Sequence, residues 1–273
     1  MANKVSTKEL GLILGTRLMK TDDLHYGYWG PGLEVNLANL PKAQAAYSQF
    51  LMAHIPAGTK TILDVGCGTG HLSEQLRAHG FQVEGISPSP MLSDMVAKRL
   101  GPDYKLYRCM FEDFATPQHY DLILFSESFQ YIKPALSLPK AHGLLNNGGH
   151  VLIADFFRTD APGVSALKGG HELADFYRIL KNQPFRVLSD EDITPQTAPN
   201  LKLVDDLLSD YALPVWEAAA YYLKNNRPWL SALVYRLFQK KIDQAHFKYF
   251  SHQRTAENFA KFKSYRTLVL QKA

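Results

Sequence analysis

The 273-residue sequence predicts an α/β fold built on a doubly wound parallel sheet of seven strands, and three observations carry that reading. Short β-rich runs alternate with amphipathic ones from Thr61 onward, as strands joined by crossover helices do. The runs are apolar throughout rather than alternately polar, which is what strands need when helices cover both faces of a sheet. The first run leads straight into a loop with glycines at 66, 68 and 70, where a strand hands over to a helix.

The elements follow in chain order. Met1 to Lys20 lacks the long apolar core of a secretory leader, and Ser6 followed by Glu9 reads as a capping box, so a short helix carrying Leu10, Leu12, Ile13 and Leu18 is expected. Strands are expected at 61–65, 81–86, 104–109, 120–125 and 150–154, with a tight turn at Asn147-Gly-Gly149 before the fifth. The helices between them open near Gly70, Pro88 and Pro134, and another spans about 170–182 before Pro184 stops it. A strand at 185–189 follows, and the alternation then lapses from 197 to 262 before a last strand at 265–271. Within that stretch Leu230, Leu233, Val234, Leu237 and Phe238 lay one apolar stripe along a helix whose other face carries Arg236 and Lys240. The chain therefore reads as one domain over 1–273. It has a helical extension at 1–56, a core at 57–196 and 263–273, and a helical cap at 197–262 hinged near Asp192-Ile-Thr-Pro-Gln196.

Composition excludes several classes of function. Hydrophobic residues make up 46% and charged residues 21%, ordinary for a globular chain. The net charge is +4, from 30 basic and 26 acidic side chains with no dense basic run, so no nucleic-acid partner is expected. The two cysteines, Cys67 and Cys109, have no partner at a disulfide or metal spacing, and the ten histidines form no metal-ligand pair, so no metal is expected. No stretch approaches the roughly 18 apolar residues of a membrane span. The expectation is a cytoplasmic protein, monomeric or homodimeric, with membrane contact the less favoured reading.

The segment Thr61-Ile-Leu-Asp-Val-Gly-Cys-Gly-Thr-Gly70 carries the most chemistry. Such a loop lets a ligand touch backbone, and the N–H groups of the following helix face the crevice at the carboxyl ends of the strands. A dinucleotide site needs Gly-x-Gly-x-x-Gly, but His71 stands where the third glycine belongs. Asp64 followed by glycines two apart instead resembles the first motif of class I S-adenosylmethionine (SAM)-dependent methyltransferases, whose fold is a Rossmann-like seven-stranded sheet. That resemblance implies SAM as cofactor and S-adenosylhomocysteine as product. It places Gly66, Cys67, Gly68 and Gly70 under the methionine part of SAM, with Asp64 at its ammonium end. Ser87, in Gly85-Ile-Ser-Pro-Ser-Pro-Met91, occupies the position where many relatives carry a ribose-binding acid, and Met91 and Ser126 are assigned to the cofactor with it. Phe111 and Glu112 lie where relatives contact adenine. A serine at 87 is similar to the subgroup of tocopherol and sterol C-methyltransferases, cyclopropane synthases and indolocarbazole sugar O-methyltransferases.

The same resemblance locates the acceptor. Leu24-His-Tyr-Gly-Tyr-Trp29 looks like the segment that closes over SAM, where Tyr28 or Tyr26 could bond the cofactor carboxylate. His25, Tyr26 and Trp29, with Trp216 of the cap, are assigned to the substrate, or else pack under the cap. In Ser126-Glu-Ser-Phe-Gln-Tyr131, Gln130 and Tyr131 occupy the subgroup's catalytic histidine positions. Neither is a ready base at neutral pH, which leaves Glu127 and Asp155 as the acidic candidates. The aromatic cap favours a bulky apolar acceptor, with its stripe otherwise ordinary core. The expected function is methyl transfer to the O, N, S or C atom of a small, largely apolar or aromatic molecule. The alternatives are a catalytically weak SAM-binding partner protein, or a lipid-acceptor or cyclopropane-type enzyme at a membrane surface.

Overall fold

The computed structural model describes residues 21–273, so the capping box at Ser6 and Glu9 lies outside the described residues. Helix α1, Leu40–Ala53, opens with Pro41 in its first turn and buries Leu40, Ala43, Tyr47 and Leu51 along one face. Strand β1 (Thr61–Val65), helix α2 (His71–Ala78), β2 (Gln82–Ile86), α3 (Pro90–Leu100) and β3 (Leu106–Tyr107) make the first half of the core. The second half runs β4 (Tyr120–Ser126), α4 (Pro134–Leu144), β5 (Leu145–Arg158), α5 (Leu173–Leu180) and β6 (Phe185–Asp192). The inserted helices are α6 (Thr194–Thr197), α7 (Pro199–Leu207), α8 (Leu213–Asn226), α9 (Pro228–Phe250) and α10 (Ala256–Phe262), and β7 (Lys263–Lys272) closes the chain.

The sheet order is β3-β2-β1-β4-β5-β7-β6. Strands β1 to β5 pair in parallel, while β7 runs antiparallel between β5 and β6. Alternate residues serve the two faces. Leu63, Ile123, Phe125 and Ile153 pack into one core, while Ile62, Leu122, Leu124 and Leu152 pack into the other. This is why these strands are apolar without alternation: both faces are covered, and each buried Leu, Ile or Phe contributes about 1.5–3 kcal/mol. The strand order reverses between β1 and β4, and this switch point opens a crevice at their carboxyl ends.

Several boundaries differ from the expected ones for local reasons. Helix α3 begins at Pro90, not near Pro88, because Ser89 is extended ahead of a proline and its hydroxyl accepts from the Leu92 N–H. Strand β3 is two residues long at a sheet edge, and Tyr104 turns inward to share a hydrogen bond with Ser73. Strand β5 begins before the Asn147-Gly-Gly149 turn, which becomes an irregularity in its pairing with β4. Helix α5 starts only at Leu173, because Gly169 and Gly170 adopt positive φ. The apolar stripe on α9 is not covered by the core: Leu230 and Val234 are half-buried, but Leu233, Leu237 and Phe238 are exposed.

Candidate active site

A cavity of about 320 Å³ opens at the switch point. Its floor is the turn after β1, whose backbone bends sharply at Gly66 and Gly68, with φ +80 and +55. A Cβ on Gly66 would lie 2.5 Å from the Ser128 Cβ, so the turn needs glycine there for packing as well as conformation. Ser128 in turn donates to the Val65 carbonyl, tying the ends of β1 and β4 together. At one end Asp64, buried, accepts from Ser73 Oγ at 2.6 Å. Burial pushes its carboxyl up to about 6, against the Ser73 hydroxyl, which holds it down. At the other end Phe111 stacks edge-on against Phe125, and Glu112 Oε2 is buried without a hydrogen-bond partner.

The segment before α1 closes the third side. The Asp23 carboxylate is gripped by His71 Nδ1 at 2.8 Å and His25 Nε2 at 3.2 Å, and Thr69 Oγ1 donates to the Asp22 carbonyl at 2.6 Å. Burial opposes the charge on Asp23, but the two imidazoles hold its carboxyl well below the usual range. Correspondingly, His25 is raised by Asp23 against its own burial, and His71 is raised chiefly by its bond to Asp23. His25 Nδ1 faces the Tyr26 carbonyl at 2.9 Å, so both ring nitrogens face acceptors and the ring is set up as an imidazolium. It stacks on Tyr47, with 4.5 Å between ring centres.

Behind the cavity wall runs a hydroxyl chain. The Tyr47 hydroxyl shares hydrogen bonds with Ser126 Oγ at 3.2 Å and the Tyr265 hydroxyl at 2.8 Å, and Tyr265 donates to Glu127 Oε1 at 2.9 Å. Glu127 Oε1 also accepts from the Tyr26 N–H at 2.7 Å. Glu127 carries a left-handed backbone, φ +53, a conformation costing a non-glycine residue about 1–2 kcal/mol. Burial raises its carboxyl above the ordinary value. Asp155 accepts from the Gln130 N–H at 2.8 Å, Gln130 Nε2 at 3.2 Å and the Phe156 N–H at 2.8 Å. Burial nevertheless pushes its carboxyl up to about 8, and the group lies behind Gln130.

Of the residues expected at the site, the cavity wall brings together His25, Asp64, Gly66, Cys67, Gly68, Ser87, Phe111, Glu112, Ser126, Glu127, Gln130 and Tyr131. The structure places the others elsewhere. Gly70 caps α2 with φ +80, and Met91 lies on α3 one residue before the wall residue Leu92. Tyr28 stacks on Phe50, Trp29 packs with Leu40 and Leu203, and Tyr26 lies among Phe156, Phe259 and Tyr265. Trp216 lies on the cap against Phe250, and Asp155 stands behind the wall. Asp23, Tyr47, His71 and Tyr265 were not singled out from sequence. Only His71 had a visible signal, as the residue displacing a third glycine.

Residues 39–202 match the family described as a methyltransferase domain. The ubiquinone biosynthesis O-methyltransferase of Paraburkholderia phytofirmans is 27% identical over 178 residues, 59% of this chain and 76% of that protein. Two solved structures share the fold. Geranyl diphosphate C-methyltransferase from Streptomyces coelicolor A3(2), in complex with Mg2+, geranyl diphosphate and S-adenosyl-L-homocysteine, has a TM-score of 0.65 at 16% identity and covers 94% of this chain and 92% of its own. The [4+2]-cyclase SpnF has a TM-score of 0.68 at 16% identity and covers 98% of this chain and 96% of its own.

Proposed function

Since the chain belongs to the methyltransferase-domain family and is a SAM-dependent enzyme, we propose that the cavity between Asp64 and Glu112 holds SAM, with the acceptor at the Gln130 and Tyr131 end. The residues present fit that cofactor. Glu112 Oε2 is a buried acceptor in want of a donor, as an adenine amino group would supply, and Phe111 offers an apolar wall beside it. Asp64, with one side-chain donor, can take an ammonium, which would favour its charged form. The His25 imidazolium offers the opposite charge for a carboxylate, and Ser87 lines the wall between the two ends. When bound, SAM supplies an electrophilic methyl group on a sulfonium.

The observation that carries the acceptor reading is that each acidic candidate at the reacting end accepts from donors fixed in the fold. Glu127 is held by Tyr26 and Tyr265, Asp155 by three N–H donors, and both His25 nitrogens by Asp23 and Tyr26. The chain's contribution is then to orient an acceptor that is already nucleophilic, such as an amine, thiolate, enol or alkene. Alignment of that kind is worth on the order of 7–11 kcal/mol at best. A small, largely apolar molecule fits the Tyr131 and Ile132 rim.

A panel of apolar phenols, amines and isoprenoids with methyl-labelled SAM tests the proposal. The expected result is label in an acceptor with one S-adenosylhomocysteine formed per transfer. Saturable SAM binding without S-adenosylhomocysteine across the whole panel would support the second reading, a SAM-binding partner protein. That reading is favoured by the neutral Gln130 amide locked to Asp155 at a position where relatives use histidine.

A further inference from the structure

Helices α8 and α9 form a hairpin whose outer face is covered by no other element among the described residues. More than half of the large exposed apolar side chains fall between Tyr211 and Phe247. On α9, Trp229, Leu233 and Leu237 recur every four residues, and Phe247 returns to the same line five turns after Trp229. Trp229 is 68% exposed and Leu237 64% exposed. Lys240 falls between the directions of Trp229 and Leu233, and Arg236 about 20° beyond Trp229 at the edge of the row, where long side chains can carry their charge past the apolar surface. Val215 and Tyr222 extend the exposed apolar surface onto α8.

Charge selects the occupant. Over 213–250 the sequence sets Lys224, Arg227, Arg236, Lys240, Lys241 and Lys248 against Glu217 and Asp243. That excess equals the whole chain's net charge of +4, so the rest of the molecule is neutral. Among the described residues none of Arg227, Arg236, Lys240 and Lys241 is held in an ion pair. A second copy laid face to face would bring like charges together, which disfavours self-pairing. Apolar and aromatic rows interleaved with unpaired cations suit the boundary between lipid headgroups and acyl chains. No helix of the described residues is long and apolar enough to cross a membrane, so contact by this hairpin would lie in the interface plane.

We propose that the α8–α9 hairpin docks the protein onto an anionic membrane surface, with Trp229, Leu233 and Leu237 inserted at the acyl boundary and Arg236, Lys240 and Lys241 on the headgroup phosphates. This holds whether or not the cavity is loaded with SAM, so its failure and that of the cofactor reading are separable.

Intrinsic tryptophan emission reads the docking directly, because Trp29 is buried while Trp216 and Trp229 are exposed on the hairpin. Mixing the full chain with phosphatidylglycerol-containing vesicles at low salt should sediment it, shift emission to the blue and quench it with brominated acyl chains. Phosphatidylcholine vesicles should bind far less. Neutralising Arg236, Lys240 and Lys241 to Gln should lower partitioning about a hundredfold, at about fivefold for each cation near the surface. The triple change Trp229→Ser, Leu233→Ser, Leu237→Ser should abolish it, with circular dichroism and a cooperative thermal melt confirming that the variant is folded. Protein that stays in the supernatant with anionic vesicles at low salt overturns the proposal, as does equal binding by the folded variants. A doubled mass in solution with no vesicle binding also overturns it and assigns the face to a second copy.

Discussion

Replacing Glu127 by Ala removes the acceptor that joins the segment before α1 to the end of β7. The Tyr26 N–H and the Tyr265 hydroxyl both point at Glu127 Oε1, at 2.7 and 2.9 Å, and both donors are buried. The Tyr265 hydroxyl keeps Tyr47, but the Tyr26 N–H is left unpaired at a cost of about 1–3 kcal/mol, and alanine does not relieve the left-handed backbone at φ +53. At roughly 2–4 °C per kcal/mol for a chain of this size, the melting temperature should fall by at least about 2 °C. Glu127→Gln keeps an amide oxygen for both donors and removes a buried charge. Because the folded carboxyl is raised above its ordinary value, wild-type stability from its neutral form is present at low pH and lost as pH rises through the folded value. The Gln variant should therefore gain on wild type as pH rises. Scanning calorimetry of the three proteins from acid to neutral pH measures both effects. Coincident melting of the Ala and Gln variants, or an Ala variant as stable as wild type, would refute the reasoning.

Two further outcomes follow from the charges around the cavity. Asp64 titrates near 6 before any ligand arrives, so SAM affinity should weaken as pH falls below about 6, and Asp64→Asn should flatten that dependence in a titration series. The clasp of Asp23 on His25 and His71 depresses the acid and raises the imidazoles. Its stabilisation is fully present between the unfolded values of about 4 and 6.5 and is lost as pH rises through the raised histidine values. Melting temperature should thus decline above that window in wild type and decline less in Asp23→Asn, with parallel curves counting against the clasp.

The parts of this molecule that obey local rules were readable from sequence. The buried strands show as apolar runs because both sheet faces are covered, and the Gly66 to Gly70 turn shows because strand and helix must meet sharply there. Boundaries moved where one side chain decided them, as when Ser89 caps α3 two residues beyond Pro88. The support behind the site was not legible: Tyr47 and Tyr265 are 218 residues apart and meet only once β7 is placed in the sheet. Nor could sequence tell that Asp155 lies behind Gln130, since each follows a strand expected from sequence, at 150–154 and 120–125, where a catalytic group could stand. The stripe on α9 has the periodicity of a buried face, yet much of it is exposed, because periodicity reports a shared face and not what covers it.

The most direct test of the central claim is isothermal titration of the purified chain with SAM and S-adenosylhomocysteine, beside Gly68→Arg, which fills the floor of the cavity. Saturable binding of both ligands to wild type, lost in the variant while its near-ultraviolet circular dichroism stays native, is the predicted result. A correctly folded wild-type chain that binds neither ligand would contradict the account.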